Sequence, residues 1–389
     1  SEFQTYLFGI HRANFTNKST MYSEDLLYGI ALSTIFKYRV DLPKSIIENL
    51  GCAGALFCLN RAELEHIFGK HYGFIDDILD KSCLEKAQKE IDWCNEKGIK
   101  IHYYPTASFP SRLKECSDSP VILYSYGDTD LNYDKIIAVV GTRRSTAYGT
   151  KTCRNIIEEL SAGGYNPIIV SGLAFGIDIC AHKAALDFGL HTIAVLATAL
   201  DTIYPAQHHS HAKSISKQGA LLTEFARGTD SFKLNFVQRN RIIAGISAAT
   251  IVIESGAKGG ALITAELANS YSRELFAVPG RISDSLSAGC NKLISGNLAS
   301  IFTSAEDFLI YMGWKDNSKS AISKEKKLFY TGDPEKEKIL VALRQNMELN
   351  IDELHRLTGQ RIQDLSVKLL ELEMEGLVNS FKGNRYSLS

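Results

Sequence analysis

Between residues 98 and 312, short apolar runs return again and again, separated by stretches of helical length. They fall at 136–140, 167–170, 192–196, 220–223, 250–253 and 275–278. None alternates polar with apolar residues, so each is expected to be covered on both faces. Strands of that kind, spaced by helices, build a parallel sheet with helices on either side. The predicted fold class is therefore α/β, with a doubly wound sheet.

The flanks read differently. Residues 21–97 show apolar positions at three- and four-residue spacing, predicting helices at 24–38, 43–50, 61–68, 74–79 and 84–96. Residues 315–334 are polar and weakly periodic, and read as a linker. Residues 335–389 predict three helices, the third ending before Gly376, and two short strands around 382–384. That order is a winged-helix pattern. The expected organisation is an extension at 1–20, a small helical domain at 21–97, an α/β domain at 98–314, the linker, and the winged helix at 335–389.

Composition narrows the function. The chain has 389 residues and is 45% hydrophobic, an ordinary globular value. No apolar run is long enough to span a bilayer, and no secretion signal is read. The eight cysteines are scattered singly, without a C-x-x-C pair, which fits a reducing cytoplasm. Net charge is −1, so any polyanion must be met by a local basic patch.

Four loops could supply that patch. Gly141-Thr142-Arg143-Arg144 ends one strand and opens a helix, where free N–H groups and the helix dipole suit a phosphate. Ser171-Gly172 begins a second such loop, in which Asp178 reads as a loop-ordering group. Arg239-Asn240-Arg241 lies in a third, flanked by apolar residues. Lys258-Gly259-Gly260 forms a fourth, Gly-rich turn. None has the G-x-G-x-x-G or G-x-x-x-x-G-K-[ST] spacing, which disfavours dinucleotide and triphosphate sites. Convergence of all four beyond the carboxyl ends of the strands favours an anion-binding role. His208, His209 and His211 lack a zinc-enzyme arrangement, so no metal is expected. No cofactor and no catalytic residue are predicted.

These strings resemble the DprA/Smf (DNA-processing protein A) family. The matching residues are Gly141-Thr142-Arg143, 171–178 with Ala181-His182, and 194–199 with Tyr204-Pro205 and His208. Thr223-Glu224, 239–245, 252–265, 277–280 and 289–294 continue the series in order. The resemblance implies an extended Rossmann-like fold that binds single-stranded DNA in the pocket built by these loops. It also implies a homodimer and loading of the RecA recombinase, notably in natural transformation. The front helices are similar to a SAM or helix-hairpin-helix domain. Relatives can touch phosphates there with a Gly-x-Gly hairpin. The corresponding 38–45 segment has no glycine, so no DNA role is expected of it.

Two further expectations follow. A short apolar edge at Leu293, Ile294 and Leu298 is assigned to the dimer interface. The third helix of the winged unit ends in Glu371, Glu373 and Glu375, which favours a protein contact or regulation over duplex reading. The rival reading is a nucleotide-processing enzyme similar to lysine-decarboxylase-like phosphoribohydrolases. Gly259-Gly260 and Glu266 fit that group's loop; Leu262 and Ile263 do not.

Overall fold

The apolar runs do form the centre of a sheet. The computed structural model describes residues 18–69, 72–230, 232–315, 333–346, 349–381 and 385–388. Residues 1–17 of the expected 1–20 extension, residues 316–332 of the expected 315–334 linker and the expected turn 382–384 lie outside the described residues; residues 18–20 belong instead to a helix. The chain divides into two units, Ser1–Trp314 and Lys315–Ser389.

In the first unit, nine strands make one sheet: β1 (Lys100–Tyr103), β2 (Ile122–Gly127), β3 (Ile136–Val140), β4 (Ile168–Ser171), β5 (Thr192–Val195), β6 (Ala220–Thr223), β7 (Ala249–Val252), β8 (Glu274–Ala277) and β9 (Ser300–Ile301). Their order is β1-β2-β6-β5-β4-β3-β7-β8-β9. The strands from β6 to β9 are parallel; β2 joins β6 antiparallel and β1 joins β2 antiparallel. Every residue of β3, β4, β5, β6 and β7 is buried, as runs apolar on both faces require. After β3 the chain moves outward through β4, β5 and β6, then returns to lay β7 on the other side of β3. The switch point therefore lies between β3 and β7, where open α/β sheets carry their ligands.

The helices of this unit are α1 (Lys18–Ile35), α2 (Asp41–Leu50), α3 (Arg61–Phe68), α4 (Phe74–Leu79), α5 (Ser82–Lys97), α6 (Ser111–Glu115), α7 (Ala147–Ala162), α8 (Ile177–Asp187), α9 (His209–Gln218), α10 (Lys233–Ile246), α11 (Gly260–Ser270), α12 (Ala288–Ser295) and α13 (Ala305–Tyr311). The front helices pack on the antiparallel edge. The buried Asp25 of α1 accepts from the N–H groups of Ala53 and Gly54 at 3.0 and 2.7 Å and from the hydroxyl of Tyr103 in β1. Glu90 of α5 accepts from Arg227 N–H at 3.0 Å, just beyond β6. No described helix is long and apolar enough to cross a membrane.

The second unit contains α14 (Pro334–Gln345), α15 (Ile351–Thr358) and α16 (Ile362–Met374), with β10 (Leu349–Asn350), β11 (Val378–Phe381) and β12 (Arg385–Leu388). The small sheet runs β10-β12-β11. Leu340, Leu354, Leu365, Leu369 and Leu372 fill its core. This is a winged helix.

Candidate nucleic-acid interface

The loops after β3, β4 and β7 meet at the switch point, but not as four equal cradles. Thr142 N–H donates to the Glu254 carbonyl at 2.8 Å, and its own carbonyl accepts from Ile177 N–H at 3.2 Å. The loop after β3 is thereby sewn to its two neighbours. Arg143 and Arg144 emerge from it exposed.

The N-terminus of α7 corrects one expectation. Thr146 caps the helix, its hydroxyl oxygen accepting from Gly149 N–H at 3.0 Å. The carboxylate of Glu254, 1% exposed, then accepts from Thr146 N–H at 2.9 Å and from the Thr146 hydroxyl. A Cβ at Gly149 would come within 2.2 Å of that carboxylate. The Glu254 side chain thus occupies this helix end and gives its buried donors a partner.

The loop after β4 is equally committed to its own structure. Ser171 is fully buried and donates to the Val139 carbonyl at 2.7 Å, so its hydroxyl ties β4 to β3. Leu173 has φ +55°, an uncommon conformation for a non-glycine residue. Two histidines hold it there. Leu173 N–H donates to Nε2 of His182 at 3.3 Å, and the Leu173 carbonyl accepts from Nδ1 of His208 at 2.7 Å. With Nε2 accepting, Nδ1 of His182 carries the proton and donates to Thr192 Oγ1 at 2.7 Å. Burial, then the charge of Arg239, lowers the His182 pKa to about 3. Burial likewise raises the Asp178 carboxyl, against the pull of Arg239 and of the Ala174 and Gly172 backbone. Asp178 orders this loop, as its position at the helix start suggests.

The arginines of α10 are the second correction. Arg239 is 4% exposed and lies against Gly172, donating from Nη1 to the Val195 carbonyl at 2.7 Å. Burial lowers its pKa to about 10, with Asp178 opposing and Arg143 adding to the shift. Arg241 is 3% exposed and pairs with Glu224 and the Asp118 carbonyl. Neither is a surface cation; Asn240 between them is half-buried. Their apolar flanks bury the helix that carries them.

In the loop after β7, Lys258 is exposed, and α11 begins at Gly260 with Gly259 offering no side-chain cap.

Sequence reasoning missed the rings. Phe175, Tyr204 and Tyr148, from loops or helix starts beyond β4, β5 and β3, are 44%, 53% and 50% exposed. Tyr204 meets Phe236 of α10 edge-on at 5.3 Å, and the Arg143 guanidinium lies 5.5 Å from the Phe236 ring centre. Phe175 meets His208 at 4.8 Å. The available signal was an aromatic residue beside a Gly or Pro at a strand exit. Together, the rim pairs free cations with exposed π faces, a combination suited to single strands. Among the described residues, no group of three or more His, Cys, Asp or Glu could hold a metal.

The edge assigned to the dimer contact mixes buried and exposed residues. Leu293 is 6% exposed and belongs to the core, and Ile294 packs partly against it; Leu298 is 53% exposed. In the winged unit, Glu371 and Glu375 both pair with Lys336 at 2.9 Å, while Val367, Leu370 and Met374 of α16 stand exposed.

Residues 100–313 match the family model for DNA recombination-mediator protein A. The chain belongs to the DprA/Smf family. Residues 330–384 match the DprA winged helix domain. Protein Smf of Synechocystis is 34% identical over 311 residues, covering 72% of this chain and 77% of the relative. The crystal structure of DprA from Streptococcus pneumoniae aligns with a TM-score of 0.54 at 34% identity, covering 66% of this chain and 92% of that one. DNA processing protein A from Helicobacter pylori, described for its single-stranded DNA binding mode, aligns with a TM-score of 0.50 at 30% identity, covering 55% and 95%. The DprA fold thus accounts for both the Rossmann-like sheet and the winged helix.

Proposed function

We propose that this DprA/Smf member binds single-stranded DNA along the carboxyl-end rim of its sheet. Arg143, Arg144 and Lys258 would neutralise phosphates, and Phe175, Tyr204 and Phe236 would take bases by stacking. The observation that carries this reading is the exposed Arg143 held over Phe236, itself in contact with Tyr204. The single-stranded DNA binding mode of the Helicobacter pylori relative supports it. Arg239, Arg241 and Ser171 act from beneath, by fixing the loops that display these groups.

The rival enzyme reading would seat a nucleoside monophosphate at the start of α11, where Leu262 and Ile263 stand in place of that group's Gly and Thr. Protection of the strand, loading of RecA and a homodimer that sets two rims side by side belong to the same proposal. The exposed apolar residues and paired acids of α16 favour a protein contact for the winged helix.

The test is anisotropy of labelled single-stranded, duplex and RNA oligonucleotides with the full chain. Tightest binding to single-stranded DNA, with little sequence preference, is expected. Equal or tighter binding to duplex would overturn the reading. RecA loading is checked by whether the purified chain speeds RecA filament growth on strands precoated with single-strand-binding protein.

A further inference from the structure

The turn between α1 and α2 lacks the glycine hairpin that would bring amide groups to a phosphate, yet it reaches the rim by other chemistry. Phe36, 2% exposed, anchors it by packing on Phe68 and Phe74 at 6.0 and 5.0 Å. Arg39 N–H closes it on the Phe36 carbonyl at 2.8 Å. From α10, Gln238 Nε2 donates to the Lys37 carbonyl at 2.8 Å. The turn is therefore fixed from both sides.

What it displays is basic and aromatic. Lys37 Nζ sits 4.9 Å from the Tyr38 ring centre and 5.8 Å from that of Phe232. The Arg39 guanidinium lies 5.6 Å from the Tyr72 ring. Tyr38, Tyr72 and Phe232 are 45%, 44% and 53% exposed. Buried rings need no explanation, but three exposed ones around two cations do. Phe232 is the residue before α10, one turn ahead of Phe236, which carries Arg143. The surface is thus continuous with the rim. Asp41 is exposed nearby and offsets part of the charge.

We infer that Lys37, Tyr38, Arg39, Tyr72 and Phe232 form an extension of the single-stranded DNA track, so that a strand leaving the rim at Phe236 passes onto the front helices. The inference rests on the rim reading proposed above. Lysine and arginine supply phosphate neutralisation, and the tyrosine and phenylalanine faces accept any base. A fixed turn loses little freedom when a strand arrives. Duplex DNA, with its bases stacked inside, gains nothing from these rings.

The experiment compares the full chain with Tyr38→Ala/Arg39→Ala, using a short oligothymidylate and one several times longer. Both side chains are exposed, so the variant should melt with the wild type. Loss of a stacked base predicts about a tenfold weaker affinity for the long oligonucleotide, with the short one unchanged. A 5-iodouracil-substituted strand should also photo-crosslink to the peptide containing Tyr38. Unchanged long-strand affinity and no such crosslink, with Arg143→Ala still weakening both lengths, would overturn the extension alone. Equal losses for both lengths would also count against it. Failure of the wild type to bind either oligonucleotide would overturn the rim reading and the extension together.

Discussion

A Cβ placed on Gly172 would lie 1.7 Å from Nη1 of Arg239. The bare backbone of Gly172 is the floor on which that guanidinium rests. Gly172→Ala must push the arginine away from the Val195 carbonyl or distort the β4 loop. We expect a loss of about 2 kcal/mol or more, the scale of a disrupted buried polar contact. Urea melts of the folded variant check this. A melt identical to wild type would mean that Arg239 moves freely.

The exposed cations carry a different expectation. Each phosphate neutralised on a single strand contributes about −0.7 to the slope of log affinity against log salt. Arg143→Ala/Arg144→Ala/Lys258→Ala should weaken single-strand binding strongly and flatten the slope by about 2 if all three touch phosphate. Arg241→Ala should instead lower stability by about 3–5 kcal/mol, because it strands the buried Glu224 carboxylate. Salt titrations beside melts separate the two classes. A stable Arg241 variant with a flattened slope would reverse the assignment.

His182 predicts an acid sensitivity. Its folded pKa of about 3 lies below the usual histidine value, 6.5. Between these values the unfolded chain holds more protons, so stability falls as pH falls, by about 1.4 kcal/mol per unit from this group. Asp178, with its carboxyl raised, acts in the opposite sense just above the ordinary aspartate range. His182→Gln should be less stable at neutral pH and show a shallower decline between about pH 6.5 and 4. Denaturant melts across that range decide it; parallel curves for the two proteins would rule out His182 as the source.

Self-association is best probed at Leu298. Being exposed, Leu298→Glu should leave the melting temperature near wild type, whereas Ile294→Glu, packed partly on the core, should lower it. If the β9 edge is the dimer contact, light scattering should show a monomer for Leu298→Glu and a dimer for the wild type. A dimer in both would move the contact elsewhere.

The sheet centre was readable because a buried parallel strand must be apolar throughout: the runs at 136–140 and 220–223 coincide with β3 and β6. The helices at 61–68 and 74–79 likewise appear at the bounds their spacing predicts. β1, β2 and β9 were not read. The edge strand Lys100–Tyr103 mixes polar with apolar residues, and β9 has only two residues. In the site, Arg143, Arg144 and Lys258 were legible as free cations. Arg239 and Arg241 were not legible as buried ones, since a charged residue beside apolar neighbours reads equally as surface or as a paired interior group. The aromatic turn at Lys37–Tyr38 could not be seen at all, because its meaning depends on Phe232, almost two hundred residues away.

The carboxylate of Glu254 leaves one consequence for the cell. Since the seat at the start of α7 is filled from within, free nucleotides and inorganic phosphate would have a buried, hydrogen-bonded side chain to displace before they could enter it. On the proposed reading, the loop bearing Arg143 and Arg144 would answer to the supply of single strands rather than to the energy state of the cell.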